Sequence, residues 1–483
     1  MKRNLSALLA MLLLLCSCSS DAGDSQTNDT KPSNAETTAP VQEEIVIDKS
    51  NVLSLFERGD YDGKTYRVIA SDIFNASIVG PQAPLEEENG DSVNDALYQR
   101  DAMIEDYFGI EIDYTIPEND TVTGEYIKNA VSSQEDIYDM GLASMANVAW
   151  HIAQTGMIRD MNAIDEIDLT AEWWNKYTIS DLCINDKVYM ATGDITNRSV
   201  TAISGYVFNK KLLKDRNMEE PYQYVYDGTW TMERMYGMYK DQEQDLNSDG
   251  KFKIADDFIP LQTGGYVNYF AAGGKILEKD GEGSFKLVHT DEKNVTLLEN
   301  VRSYFTGDGV VFNVGYPGVD AFKENRSLFA YVAGCDLSLF RDMEDDYGFV
   351  PFPKGNESQK DYINPGNYWI ATCTMIPVTV SDDNISFVGT MTEALAAVSR
   401  FTSIKAKYDI LLLEKELRDE DSKAMAQICA ETMSFDMGKL ANVGGLADIM
   451  ENAFVKEDDF VSKYAKVAEK AQKELDKLLE AIG

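Results

Sequence analysis

Histidine is almost missing from this chain: of 483 residues only two carry an imidazole, His151 and His289. Neither lies in an HExxH pair, in a zinc spacing, or in an arrangement that a Ser-His-Asp triad would use. There is also no GxSxG elbow, no GxxxxGK(S/T) phosphate loop and no GxGxxG turn. Histidine-based and nucleotide-based chemistry therefore have no foothold, and the expectation is a protein that is not an enzyme. Paired carboxylates of the glycosidase kind stay open, but among 82 acidic residues no pair stands out by sequence. Basic residues are scarce, 44 Lys and Arg against those 82 acids, for a formal charge of -38. Such a field repels nucleic acid and anionic lipid surfaces, which excludes nucleic acid as a partner. The remaining acids form a solvated, mutually repelling surface.

Cysteine is sparse as well. Cys183, Cys335, Cys373 and Cys429 are widely spaced and show no CxxC pattern, so they are expected to be mostly buried thiols. Beyond residue 50 no apolar run reaches the roughly 18 to 20 residues that a membrane span needs.

What is present begins at the amino terminus. "MKRNLSALLAMLLLLCSCSS" has Lys2 and Arg3 ahead of a short apolar run, the layout of an export signal. Leu15, Cys16, Ser17 and Cys18 resemble a bacterial lipobox, which would make Cys18 the lipidated first residue of the mature chain. Residues 19–50 are rich in Ser, Thr, Asp, Asn and Pro, so they cannot bury enough surface to fold and read as a disordered tether.

The body alternates strand-like and helix-like stretches. "KTYRVIAS" (Lys64–Ser71), "IEIDYTI" and "DIYDMGLA" (Asp136–Ala143) have β character, and each is followed or preceded by apolar residues at helical spacing. "KVYMATGDI" and "GYVFNKKLL" give two further strand-like runs. "WTMERMYGMYKDQEQ" (Trp230–Gln244) is an amphipathic helix, and from about Thr390 the pattern is almost wholly helical. Alternation with short connections predicts an α/β protein with a mostly parallel sheet and a helical carboxy-terminal third. No internal repeat is visible.

"DLNSDGKFKIADD" places oxygen-bearing groups in the order of a calcium loop. Asp245, Asn247 and Asp249 take the first, third and fifth positions, Gly250 the turn, the Lys251 carbonyl the seventh and Asp256 the twelfth. The last ligand is Asp where EF-hands use Glu, as in dockerin loops, and Pro260 argues against a long exit helix. The loop occurs once, which speaks against a dockerin-like adhesion module. Calcium is expected as a structural ion, with no cofactor required.

The lipobox, the Ser/Thr-rich tether, "KTYRVIAS", "NGDSVNDALYQRDAMIEDYFGIEI", the block from "GMIRDMNAIDEIDLTAEWWNKYTISDLCINDKVYMATGDI", "VFNKKLLKD" and "DGTWTMERM" together resemble extracellular solute-binding proteins of family 1, the sugar-binding type. "YGFVPFPK" and "RDEDSKAMAQI" are similar to later landmarks of clostridial-type members. The resemblance covers nearly all of the mature chain. It implies a two-lobe, maltose-binding-protein-like (type II) fold that captures a carbohydrate, an oligosaccharide first, and delivers it to an ABC permease. It further implies a monomer outside the cytoplasm, held to the membrane by its lipid alone. A peptide or other small solute is the alternative ligand, and a surface glycoside hydrolase the alternative activity.

The resemblance implies lobe 1 at residues 51–198 plus 328–398 and lobe 2 at 199–327 plus 399–483. Strand ends line the cleft of such a fold. The expected ligand contacts are therefore Asp72, Asn75, Ser144, Asn147, Trp150 and Asp194, with Trp230, Tyr266, Tyr331 and Trp369 as stacking faces for a sugar ring. Trp173 and Trp174 lie side by side, about 100° apart on a helix, and are expected in the core.

Overall fold

The computed structural model describes residues 46–61, 63–71, 81–85, 87–312, 316–408, 416–455 and 459–482. The leader, Cys18, nearly all of the tether, Asp72 and Asn75 lie outside the described residues. The strands are β1 (Thr65–Ala70), β2 (Glu111–Thr115), β3 (Met140–Ser144), β4 (Ser204–Asn209), β5 (Leu261–Thr263), β6 (Leu277–Lys279), β7 (Phe285–Leu287), β8 (Val310–Phe312), β9 (Phe329–Ala333), β10 (Tyr347–Val350), β11 (Asn364–Pro365), β12 (Thr372–Met375) and β13 (Met433–Ser434).

They form two main sheets. The first runs β12-β3-β1-β2, with β1 parallel to both β2 and β3 and with β12 antiparallel to β3. The second runs β10-β4-β9-β5-β8, parallel at β5 and antiparallel where β4 meets β9 and β10. Because β12 belongs to the first sheet although it follows the whole second sheet in sequence, the chain must cross between sheets more than once. The short parallel pair β11 and β13 lies on those crossings, tied to the start of β4 by Asn364, whose amide bonds both backbone groups of Ser204.

Local chemistry explains the helices that position these sheets. Helix α1 (Ser92–Phe108) begins where Asp91 accepts the backbone N–H groups of Val93 and Asn94, and it ends at Gly109 with φ 69°, a left-handed stop that glycine adopts freely. Helix α2 (Asp120–Ser132) is capped by Asn119, and α3 (Lys176–Leu182) by Asn175. Thr231 caps α4 (Met232–Tyr239), and α5 (Tyr266–Ala271) follows β5 directly. Helix α6 (Ile385–Phe401) is apolar almost all round and buried from Phe387 to Ser399 against the first sheet, where Tyr66 on β1 bonds Thr392 at 2.7 Å. Helices α7 (Glu420–Glu431), α8 (Met437–Ala441), α9 (Leu446–Val455) and the long amphipathic α10 (Phe460–Ile482) complete the helical end.

Three sequence expectations change. The return to the first lobe at residue 328 is not seen: β9 is an interior strand of the second sheet, and the chain reaches the first sheet only through Asn364–Pro365 into β12. An apolar strand reads the same in either sheet, so its pattern could not assign it. "KVYMATGDI" makes three isolated bridges, Lys187 with Ile184, Ala191 with Thr374 and Gly193 with Trp174, in place of a strand. The helix expected over Trp230–Gln244 is confined to Met232–Tyr239, since Lys240 leaves helical geometry and Asp241 has φ 58°.

Trp173 and Trp174 do belong to the core's edge: their indole N–H groups donate to the two oxygens of Glu393 on α6, at 2.7 and 2.9 Å. Cys183, Cys335, Cys373 and Cys429 are free thiols, the last three buried. No described helix is long and apolar enough to cross a membrane.

Candidate functional site

The site is best built from strand ends. At the carboxy edge of the first sheet, Ser144 closes β3 and Asn147 follows in the next turn. The Ser144 hydroxyl donates to Asp120 Oδ2 at 2.7 Å and the Asn147 amide donates to the same oxygen at 3.1 Å. Asp120 opens α2, so its carboxylate also sits near the positive end of that helix. Its other oxygen, Oδ1, is buried and accepts no bond within the described residues. Sequence reasoning found Ser144 and Asn147 but missed Asp120, whose signal was only its place after the second strand.

The crossing segment from β11 to β12 runs past this edge. The Tyr368 and Ala371 carbonyls accept the N–H groups of Ala146 and Met145, while Asn367 donates its backbone N–H to Ala202 on the first crossing. Between these anchors, Asn367 Oδ1 accepts the Trp369 N–H at 3.0 Å, a tight Asx turn that turns the chain outward. Trp369 is 55% exposed, an unusual state for the largest side chain. Gln82 also docks on the crossings: it accepts from Thr196 at 2.6 Å and donates to Thr372 at 3.2 Å.

On the second sheet, Thr263 ends β5 and holds a closed network with Tyr206 and Asn268. Gly265 follows with φ +59°, and a Cβ there would stand 2.6 Å from Phe312 and 2.9 Å from Phe454, so only glycine fits. Tyr266 starts α5, half-buried, with the Lys439 ammonium 5.0 Å from its ring centre; Lys439 itself is paired with Glu451. Tyr331 on β9 stacks on Phe352 at 5.9 Å, and burial pushes its phenol up to about 12.

Three of the expected contacts are engaged within the protein. Trp230 is fully buried and donates its indole N–H to the Pro351 carbonyl at 2.9 Å, with its ring against Phe329. It is a core residue because the turn before α4 points it inward. Trp150 is 4% exposed and packs in the same large cluster. Asp194 is engaged by Arg400 of α6 at 2.8 Å, and burial raises its carboxyl to about 6 against the pull of that guanidinium. Ser144, itself fully buried, and Asn147 thus meet on Asp120, Trp369 lies on the crossing segment that bonds the turn after β3, and Tyr266 and Tyr331 belong to the second sheet, at the start of α5 and in the middle of the interior strand β9.

The acidic loop forms a separate site. Carboxylate oxygens of Asp245, Asp249 and Asp257 lie within 4.8 Å of one another. Asp257, fully buried, replaces the expected Asp256: it accepts the Leu246 and Lys253 N–H groups, whereas Asp256 accepts the Asn247 amide at 2.9 Å. Lys253 places its ammonium 2.5 Å from Asp249, a cation already in the cluster. Hard carboxylate oxygens in this number suit calcium.

No family model matches the sequence, and no curated protein matches it. Solved structures do resemble the fold. A cyclo/maltodextrin-binding protein complexed with maltotetraose aligns over 87% of this chain and 97% of its own, at 12% identity and a TM-score of 0.54. The cyclic alpha-maltosyl-1,6-maltose binding protein from Arthrobacter globiformis aligns over 87% and 98%, at 13% identity and 0.51. An ABC substrate-binding protein from Listeria monocytogenes in complex with cycloalternan aligns over 87% and 100%, at 11% identity and 0.51. At such identities the likeness is one of fold, and the chain has the mixed α/β, two-lobe fold of maltose-binding-protein-like proteins.

Proposed function

We propose that this protein is the lipid-anchored capture subunit of an ABC importer for an oligosaccharide, anchored through Cys18 and released from the membrane surface by its tether. The observation that carries the reading is Trp369, an exposed indole on the crossing segment next to the Asp120–Ser144–Asn147 cluster. A pyranose offers an apolar face to the indole and hydroxyls to the acid and amides. The named ligands of the fold's neighbours, maltotetraose and cycloalternan among them, support that class. Asp72 and Asn75 would reach the same cleft from the loop after β1, and Tyr266 and Tyr331 would face it from the second lobe. Capture acts by closure: a ligand shifts the open-to-closed balance only as far as it prefers the closed form.

The test is calorimetry and tryptophan fluorescence across mono- and oligosaccharides, with the sugar recovered and analysed by chromatography. We expect saturable binding of an intact oligosaccharide and an affinity loss of about tenfold or more in Trp369→Ala, the effect of losing roughly 1.4 kcal/mol or more of ring contact. The melting temperature should stay unchanged, because the ring is exposed. Released products, or equal affinity in the variant, would sink this reading.

The acidic loop would then be a calcium clasp on one lobe, held by Asp245, Asn247, Asp249, the Lys251 carbonyl and Asp257, with Lys253 displaced. Saturating an ion site at about a hundredfold over its Kd stabilises by about 2.7 kcal/mol. Chelation should accordingly lower the melting temperature by a few degrees while leaving sugar affinity intact at a temperature where the protein stays folded. A melting curve indifferent to calcium and to chelator would refute the clasp.

A further inference from the structure

Two buried side-chain amides stand at the two ends of the crossing segments, and each bonds both segments at once. At the first sheet Gln82, 5% exposed, accepts the Thr196 hydroxyl at 2.6 Å and donates to the Thr372 hydroxyl at 3.2 Å. Thr196 opens the first crossing, where its oxygen also accepts the Arg198 N–H at 3.2 Å. Thr372 begins β12, where the second crossing ends, in register with Ser144 on β3. Beside them the Asn197 amide donates to the Pro81 carbonyl at 3.2 Å. At the second sheet Asn364, 1% exposed, accepts the Ser204 N–H at 3.1 Å and donates to the Ser204 carbonyl. Asn364 opens the second crossing, and Ser204, at the start of β4, closes the first.

Backbone bonds narrow what is left between these ends. On the first crossing, the Ile203 carbonyl accepts the N–H of Gly334, the residue after β9, at 2.7 Å, so the second sheet holds the chain from there on. On the second crossing, the Tyr368 and Ala371 carbonyls are held by the turn after β3, which belongs to the first sheet. Gly366 is fixed on the other side: its N–H donates to Ser434 at 3.1 Å, and a Cβ there would stand 2.4 Å from the Phe435 ring. Between the anchored parts lie Ala202 on one crossing and Asn367 on the other. The Asn367 N–H donates to the Ala202 carbonyl at 2.8 Å, so the two segments are also bonded at mid-span.

A hinge is a few residues that absorb backbone rotation while the elements on either side stay rigid. We propose that the Ala202–Asn367 pair is the pivot between the lobes, and that Gln82 and Asn364 are positioning residues that staple the two crossings into one ribbon on either side of it. A buried amide suits this role because it donates and accepts in one plane, and a partner left without it in a dry site is costly. Stapled at both ends, the crossings turn together about one axis, and the lobes hold a narrow range of angles before any ligand arrives. The assignment rests on the closing motion proposed above and not on the sugar.

Its test therefore needs no ligand. Nitroxides carried by p-acetylphenylalanine in place of Ala102 on α1 and of Glu299 on the helix Glu292–Tyr304, both exposed positions, report the interlobe distance by double electron–electron resonance. The parent should give one narrow distribution. In Gln82→Leu, which fills the space without either bond, the population outside that peak should rise about tenfold, on the order of what one lost buried hydrogen bond is worth. Asn364→Leu should act alike. Gln82→Glu still accepts from Thr196 but has no proton for Thr372, and should lie between parent and Gln82→Leu. Thr392→Val removes the buried bond to Tyr66 within the first lobe, touches neither crossing, and should keep the parent's distribution. A broad distribution in the parent, an unchanged one in Gln82→Leu, or equal broadening in Thr392→Val would overturn the proposal. Should Gln82→Leu not fold, Gln82→Glu decides alone.

Discussion

Trp230→Ala is expected to cost about 3–5 kcal/mol of folding stability, the range for removing a large aromatic side chain from a packed core. The ring is fully buried, lies 6.2 Å from Phe329 and satisfies the Pro351 carbonyl, so alanine would leave both a cavity and an acceptor without its donor. Against a total of about 5–15 kcal/mol for an ordinary protein, that is enough to deplete the folded population at 37 °C. Trp230→Phe fills most of the space and loses mainly the N–H bond, so it should fold with a smaller loss. Urea unfolding of both variants, together with sugar affinity per folded molecule, checks this. A Trp230→Phe protein that melts normally and yet loses the sugar would show that the ring faces ligand, against its burial.

The contrast between Trp230 and Trp369 shows what the sequence could carry. Both looked like aromatic faces near strand ends, and composition could not separate them. The difference lies in distant partners: Pro351 and Phe329 bury one ring, while the Asn367 turn lifts the other from a crossing segment. Strands with strong β character, such as β1 and β2, and the final helix at Phe460–Ile482 were legible because their period is local. The assignment of β9 to the second sheet was not, since sheet membership is a long-range pairing. Asp120 was hidden for a similar reason: it meets Ser144 and Asn147 only after two strands have paired with β1. In the acidic loop the spacing gathered Asp245 and Asp249 but not Asp257, which is drawn inward by two backbone N–H groups that the spacing rule does not count.

The protein is also expected to melt at a higher temperature near pH 5 than at pH 8. Burial raises Glu393 to about 7, Asp436 to about 7 and Asp194 to about 6 in the folded state. A carboxyl whose folded pKa is raised binds its proton more tightly folded than unfolded. Its contribution is full below the unfolded pKa, near 4, and is lost as pH rises through 6 to 7. For Glu393, which is 3% exposed, a rise from 4.5 to about 7 corresponds to about 3 kcal/mol lost across that window. The -38 surface acts in the same direction, since deprotonation adds like charge. Glu393→Gln separates the two effects. The amide accepts from only one of the indoles of Trp173 and Trp174, so at pH 5 the variant should be less stable than the parent by about 1–3 kcal/mol. Having nothing to titrate, it should lose less on the way to pH 8, and the gap should close. Parallel melting curves for parent and variant between pH 5 and pH 8 would mean that Glu393 does not titrate there, and that the indole pair holds it as a carboxylate throughout.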